Sequence, residues 1–183
     1  MGKAANSSIS LKQIHVTDNF WNKYVHLVKD VIIPYQWDIL NDKLEDVETS
    51  HCIENFKIAA GEKEGEFQGA VFQDTDVAKW LEAVGFVLNY ERDEKLEELA
   101  DETIELIGRA QQPDGYLNTY FTIKEPDGRW SNLMEGHELY TAGHMIEAAV
   151  AYYEATGKRR FLEIVSKFAD LVCQTFGPEE GKI

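Results

Sequence analysis

Cysteine and positive charge are both scarce in this 183-residue chain. Its two cysteines, Cys52 and Cys173, stand far apart among apolar neighbours and in no metal-ligand spacing, so we predict reduced structural thiols in a reducing compartment. Lysine and arginine number 18 against 33 acidic residues, and the resulting formal charge of −15 repels phosphate backbones. The sequence therefore predicts no nucleic-acid partner.

Long apolar runs are also missing. No run of eighteen apolar residues exists, which predicts that no segment spans a membrane. Residues 1–10 hold one lysine and no apolar stretch, a pattern that argues against a secretory signal and makes the cytoplasm the expected location. The composition is 44% hydrophobic and 11% aromatic, which is typical of a folded globular domain.

Strand-period segments are absent as well, and the chain is predicted to be all-α. Apolar residues recur at a helical period through most of it. Pro34 is expected to break the first helix, because proline lacks a backbone donor and clashes with the preceding turn. We expect a polar loop at 61–69 and an extended loop at 116–123. The predicted helices are residues 19–34, 36–44, 51–60, 74–90, 94–110, 136–155 and 159–176.

Short connectors join the last four predicted helices in pairs. About four residues separate 74–90 from 94–110, and Gly157 provides a left-handed stop between 136–155 and 159–176. Both pairs are therefore predicted to be antiparallel hairpins. A toroid of such hairpins needs several more to close, so we expect the chain to be part of something larger, with exposed apolar faces that promote formation of homo-oligomers.

Two histidines open the helix at 136–155. His137 and His144 are seven residues apart, about 10.5 Å along a helix axis, which is too far for one tetrahedral zinc. The sequence thus predicts no metal site in this chain. His137 either hydrogen-bonds a polar ligand in a pocket or is satisfied by the backbone. His144 lies in a more apolar face, which favours a structural role.

Asp74 and Asp76 precede a helix and invite two interpretations. As N-caps, their side-chain oxygens would accept hydrogen bonds from the unpaired N–H groups of the first turn. Their negative charge would also stabilise the positive end of the helix dipole. Alternatively, one belongs to a carboxylate pair of the kind that glycoside hydrolysis requires, with further candidates at Glu82, Glu138 and Glu147.

Residues 111–118 read Gln-Gln-Pro-Asp-Gly-Tyr-Leu-Asn. The Pro113-Asp114-Gly115 sequence is typical of a tight turn with glycine at positive φ. The dense amides and aromatic rings of the segment, including Tyr116 and Asn118, are also typical of carbohydrate sites.

Five ordered segments cover nearly the whole chain: Asn-Phe-Trp at 19–21, Pro-Tyr-Gln-Trp at 34–37, Phe-Gln-Asp-Thr-Asp-Val-Ala-Lys-Trp-Leu-Glu at 72–82, Ala-Gln-Gln-Pro-Asp-Gly-Tyr-Leu-Asn-Thr-Tyr at 110–120, and His-Glu-Leu-Tyr-Thr-Ala-Gly-His-Met-Ile-Glu-Ala at 137–148. Together they resemble glycoside hydrolase family 127, typified by β-L-arabinofuranosidase. The resemblance implies an (α/α)6 barrel, of which residues 1–183 would be the N-terminal portion. It also implies retaining chemistry by a cysteine nucleophile at a zinc site.

The resemblance places the family's nucleophile, zinc ligands and acid/base glutamate beyond this chain, and neither cysteine matches the catalytic motif. No catalytic residue is therefore expected here, and zinc is expected only in the full-length enzyme. The resemblance implies that Gln36 and His137 hydrogen-bond the arabinofuranose hydroxyls. His144 and Asp74 remain further candidates for binding substrate.

The expected partner is an arabinofuranoside or a related plant oligosaccharide, and the fragment alone is expected to be inactive. Two alternatives stay open. Relatives within the family act on other plant cell-wall sugars, and a chain of this kind can also serve as a non-catalytic helical module that binds sugar or protein.

Overall fold

The computed structural model describes residues 9–183, and within them the chain forms helices without any β-strand. The all-α prediction is confirmed. None of the helices in the described part has the length and apolar character needed to cross a bilayer. The α-helices are α1 (Asn19–Leu27), α2 (Ile33–Leu40), α3 (Cys52–Ala59), α4 (Asp74–Tyr90), α5 (Glu94–Ala110), α6 (Thr119–Ile123), α7 (Leu133–Gly136), α8 (Glu138–Thr156) and α9 (Arg160–Thr175).

The predicted break at Pro34 is wrong. A π-helical turn, Val28–Ile32, joins α1 to α2, and the amide of Ile33 donates to the carbonyl of Val28 five residues back. Pro34 lies in the first turn of α2, directly after the π-helical turn. The wider turn therefore carries the helix through the proline, and α2 ends at Leu40, four residues earlier than predicted.

The boundaries of α4 and α5 agree with the prediction, whereas α8 begins two residues late. The cause is His137, whose φ of 54° and ψ of 20° place it in the left-handed region between α7 and α8. The extended loop predicted at 116–123 is partly wrong, because Asn118 caps a short helix there by accepting from the amide of Phe121.

The two predicted hairpins form, but the most extensive packing joins helices from different hairpins, α4 and α8. Their contacts advance in the same direction along both helices, so α4 and α8 run parallel. Helices α5 and α9 also lie side by side in parallel. The contacts pair Phe72 with His137, Lys79 with Tyr140 and Gly85 with Ala151, and then Asp101 with Lys158, Glu105 with Arg160 and Gln111 with Ile164.

The core lies among these helices and is dominated by aromatic and aliphatic side chains. Trp80 is 1% exposed, stacks on Trp37 at a centroid distance of 4.5 Å, and donates from Nε1 to the carbonyl of Ile33. This contact fixes α2 against α4. Because Gln36 lies on α2, the same contact also fixes the position of one predicted site residue.

Large apolar side chains remain exposed on two faces of the described structure. Phe20, Trp21, Tyr24, Leu27, Val31 and Tyr35 lie on the first helical segment, and Phe86, Leu139, Tyr140, Val150 and Tyr153 lie on α4 and α8. Exposed apolar side chains in this number favour association. We expect the isolated chain to dimerise or aggregate in multi-angle light scattering, and a stable monomer at all concentrations would contradict this.

Candidate functional site

His137 lies at the start of α8, where its ring packs against two aromatic side chains. The centroids of Phe72 and Tyr140 are 5.2 and 5.8 Å away. Nδ1 of His137 is 2.8 Å from the carbonyl of Glu135, which can only accept. Nδ1 is therefore the donor in this contact, and in the neutral form of the imidazole Nε2 is an acceptor. A half-buried acceptor between two rings is suited to a hydroxyl donor on a sugar.

Gln36 is exposed on α2 and borders a cavity of about 440 Å³. Ser50, Asp76, Lys79 and Trp80 contribute to the same cavity, which combines polar groups with an aromatic wall. His137 does not line this cavity. Lys79 and Tyr140 lie between this cavity and His137. The ammonium of Lys79, which lines the cavity, is 5.5 Å from the ring centroid of Tyr140, and the ring of Tyr140 packs against His137. Lys79 and Tyr140 are residues that sequence reasoning missed, because only the pairing of α4 with α8 brings them together.

Asp74 is 1% exposed, and its oxygens accept from Thr119. The distances are 2.7 Å to the amide nitrogen and 2.5 Å to Oγ1. Burial raises the pKa of Asp74 to about 6, against the lowering effect of the bonds from Thr119. The carboxylate is occupied and enclosed, which favours its structural interpretation over substrate binding.

The N-cap interpretation of the two aspartates is wrong in detail. Gln73 occupies the cap of α4, and no side chain accepts there. Asp74 and Asp76 lie in the first turn, where negative charge still favours the positive end of the helix dipole. Asp76 accepts from Nε2 of Gln73 at 2.8 Å, and partial burial raises its pKa.

His144 is partly buried beside Tyr140, with ring centroids 4.6 Å apart. Its Nδ1 lies 3.7 Å from a carboxylate oxygen of Glu147, and Glu82 of α4 completes a cluster in which one ligand atom from each residue lies within 4.8 Å of the others. Sequence spacing could not reveal this group, because Glu82 is on a different helix.

We still expect no stoichiometric zinc in this chain. The cluster at His144 supplies one imidazole and two carboxylates, and the Glu147 side chain is 66% exposed, so water competes well for the ion. Elemental analysis after extensive dialysis checks the expectation. One equivalent of zinc that disappears in Glu82→Gln would contradict it and locate the ion.

The interpretation of 111–118 as a sugar-contacting segment is wrong. Tyr116 and Asn118 are fully buried. The side-chain amide of Gln111 donates from Nε2 to the backbone carbonyls of Gly115 and Ile164. Gly115 has a φ of +92°, as predicted for the turn, and a Cβ there would lie 2.6 Å from the carbonyl oxygen of Lys167. The segment therefore provides internal structure between α5 and α9.

Both cysteines are free. Cys52 is buried, donates from Sγ to the carbonyl of Gln73, and has a pKa raised by burial, as a structural thiol should. Cys173 is exposed, so the prediction of a structural role is wrong for this thiol. Cys52 and Cys173 also lie outside the only cluster of potential metal ligands found among residues 9–183. The residues present therefore do not fit the cysteine-based zinc site that the resemblance implies for the complete enzyme.

Comparison with known proteins now adds to this geometry. Residues 13–183 match the family model described as "Beta-L-arabinofuranosidase, GH127 catalytic domain". A non-reducing end β-L-arabinofuranosidase from Bifidobacterium longum subsp. longum is 43% identical over 186 aligned positions, which cover 93% of this chain and 28% of that protein. The chain thus spans a little over a quarter of the length of this curated relative.

Solved structures agree. A crystal structure of a family 127 β-L-arabinofuranosidase from Geobacillus stearothermophilus T6 has a TM-score of 0.92 and 62% identity, over 93% of this chain and 27% of that chain. Another family 127 β-arabinofuranosidase has a TM-score of 0.86 and 36% identity, over 95% of this chain and 28% of its own. On the family model and these relatives, the chain belongs to glycoside hydrolase family 127.

Proposed function

We propose that this chain is the N-terminal portion of an (α/α)6-barrel glycoside hydrolase that releases L-arabinofuranose from β-L-arabinofuranosides with retention. Its relatives are β-L-arabinofuranosidases, and their activity supplies the proposed substrate class. Two parallel helices, α4 and α8, backed by a second parallel pair, support a toroidal arrangement. The nucleophile, acid/base and zinc ligands are proposed to lie outside residues 1–183, so the chain alone is proposed to be inactive.

The observation that carries the proposal for the binding site is that Nε2 of His137 has no hydrogen-bond partner among residues 9–183. Because Nδ1 donates to the carbonyl of Glu135, Nε2 accepts when the imidazole is neutral. Phe72 and Tyr140 provide apolar surface on which a sugar face can pack. Gln36 adds a neutral amide that can both donate and accept. His144 remains a weaker candidate, and its buried Nδ1 has no hydrogen-bond partner among residues 9–183.

His137→Ala and Gln36→Ala test these assignments in the complete enzyme. A buried hydroxyl partner left unpaired costs about 1–3 kcal/mol, so each variant should lower kcat/KM on an aryl β-L-arabinofuranoside by roughly five- to 160-fold. His26→Ala, which removes an exposed imidazole from α1, is the matched control. Full kcat/KM in a variant whose circular dichroism is native would remove that residue from the site.

The sugar itself is tested by a panel of aryl glycosides. Other plant cell-wall sugars are the alternative substrates, and a higher kcat/KM on one of them would replace arabinofuranose. Saturable sugar binding by the full-length protein without hydrolysis of any glycoside in the panel would favour the non-catalytic module.

A cytoplasmic location is also proposed, supported by the two free thiols. The negative charge supports the absence of a nucleic-acid partner. Cell fractionation tests the location, and recovery of the protein outside the cell would contradict it.

A further inference from the structure

Two sequence motifs that are twenty residues apart meet in the core. Tyr116, from the turn at 111–118, donates its hydroxyl to Oε1 of Glu138, the residue that follows His137. Both side chains are fully buried. Oε2 of Glu138 accepts from the amide of Trp130 at 2.8 Å. Each carboxylate oxygen of Glu138 therefore has a fixed partner inside the protein.

Tyr116 is itself held from several sides. The guanidinium of Arg129 lies 3.9 Å from the centroid of its ring, and the ring packs edge-on against Trp130 and Phe168. Asp114 accepts from the amide of Tyr116 and pairs with Arg129, both at 3.0 Å. These contacts hold the phenol in place beside the carboxylate of Glu138.

His137 needs such an external constraint. A non-glycine residue with φ of 54° occupies an unfavourable region of the backbone map, and it stays there only where neighbouring contacts determine it. Gly136 packs against the ring of Phe121 on one side, where a Cβ would lie 3.0 Å away. Glu138 is anchored on the other side. The left-handed residue between them aims the imidazole at Phe72 and Tyr140.

We propose that Tyr116 and Glu138 are positioning residues that hold His137 in its left-handed conformation and so direct its imidazole toward the substrate. The turn at 111–118 thereby acts on the site without contacting the sugar. This inference rests on the proposed function of His137. It is also testable on the imidazole alone, without any measurement of activity.

The first test follows the imidazole of His137 by 15N NMR in the complete enzyme with 15N-labelled histidine. Tyr116→Phe removes one hydroxyl and should shift the His137 ring nitrogens toward a mixture of tautomers, while the resonances of His26 stay unchanged. Tyr152→Phe is the matched control. Tyr152 lies at the far end of α8 from His137, is as buried as Tyr116, and donates its hydroxyl to the carboxylate of Asp101 on α5. Unchanged His137 nitrogens in Tyr116→Phe, or equal shifts in both variants, would overturn the proposal.

The second test is a double-mutant cycle in the complete enzyme. Tyr116→Phe should lower kcat/KM about tenfold, the effect of one hydrogen bond to a charged group, and Tyr152→Phe should not. Combined with His137→Ala, Tyr116→Phe should add no further loss, because its effect passes through that imidazole. Additive losses would overturn positioning. If His137→Ala alone were fully active, the proposed role of His137 in substrate binding would be wrong. The NMR result would still decide whether Tyr116 holds the imidazole of His137 in place.

Discussion

Gly85→Val is expected to destabilise the protein by about 3 kcal/mol or more, because α4 and α8 touch through their backbones at this position. A Cβ on Gly85 would lie 2.9 Å from the carbonyl carbon of Ala151 and 2.9 Å from the amide nitrogen of Tyr152. Neither atom belongs to a side chain that can rotate away. The two helices would have to separate, and the core between them would lose contact along their length. Urea denaturation followed by circular dichroism measures the change.

Gly143→Val is the matched control for Gly85→Val. Gly143 is also helical, lies on α8, and has no atom within 4 Å of an added Cβ. Valine in a helix is somewhat better than glycine, so this variant should be unchanged or slightly stabilised. Equal free energies of unfolding in the two variants would show that the close approach of the helices at Gly85 does not contribute to stability.

Asp74→Asn is expected to change how stability depends on pH. The carboxyl pKa is raised from 3.8 to about 6, which corresponds to about 3 kcal/mol between the protonated and ionised forms. The folded state therefore binds the proton more tightly than the unfolded state. The stabilising contribution of Asp74 is present below pH 3.8 and is lost as the pH rises toward 6.

Asparagine removes the ionisation and can keep both contacts with Thr119, with Oδ1 accepting from the amide and Nδ2 donating to Oγ1. Relative to the native chain, Asp74→Asn should gain up to about 3 kcal/mol of unfolding free energy between pH 4 and 7. Asp170→Asn, at an exposed position on α9, should show no such gain. Urea denaturation at a series of pH values makes the comparison, and parallel curves for the native chain and Asp74→Asn would contradict it.

The paired tests of Gly85 and Asp74 also separate fold from function. Gly85 is not a candidate for sugar contact, and the burial of Asp74 favours a structural role over its candidate role in substrate binding. A variant that loses stability while its folded fraction keeps the NMR signature of His137 would show that the site survives local strain in α4.

Local sequence patterns were sufficient for much of the fold. The apolar period of α4 and α5 gave their bounds correctly, because an amphipathic helix is specified by residues three and four apart. Pro34 was misread because a π-helical turn depends on how the preceding helix is packed, which a proline rule does not include. The candidate role of His137 came from its place at a helix start, and its acceptor nitrogen depends on a carbonyl only two residues away.

The sequence by itself determined an all-helical chain, its hairpins, its negative charge and its family motifs, since each depends on neighbours along the chain. Only the tertiary structure decided that Asp74 is enclosed by Thr119, that Glu82 approaches His144, and that Tyr116 anchors Glu138. These contacts join residues 22 to 62 positions apart on different elements. The approach of Glu82 to His144 arises from the parallel packing of α4 with α8, and the other two contacts arise where residues 116–119 pack against α8 and α4. No spacing in the sequence encodes that packing.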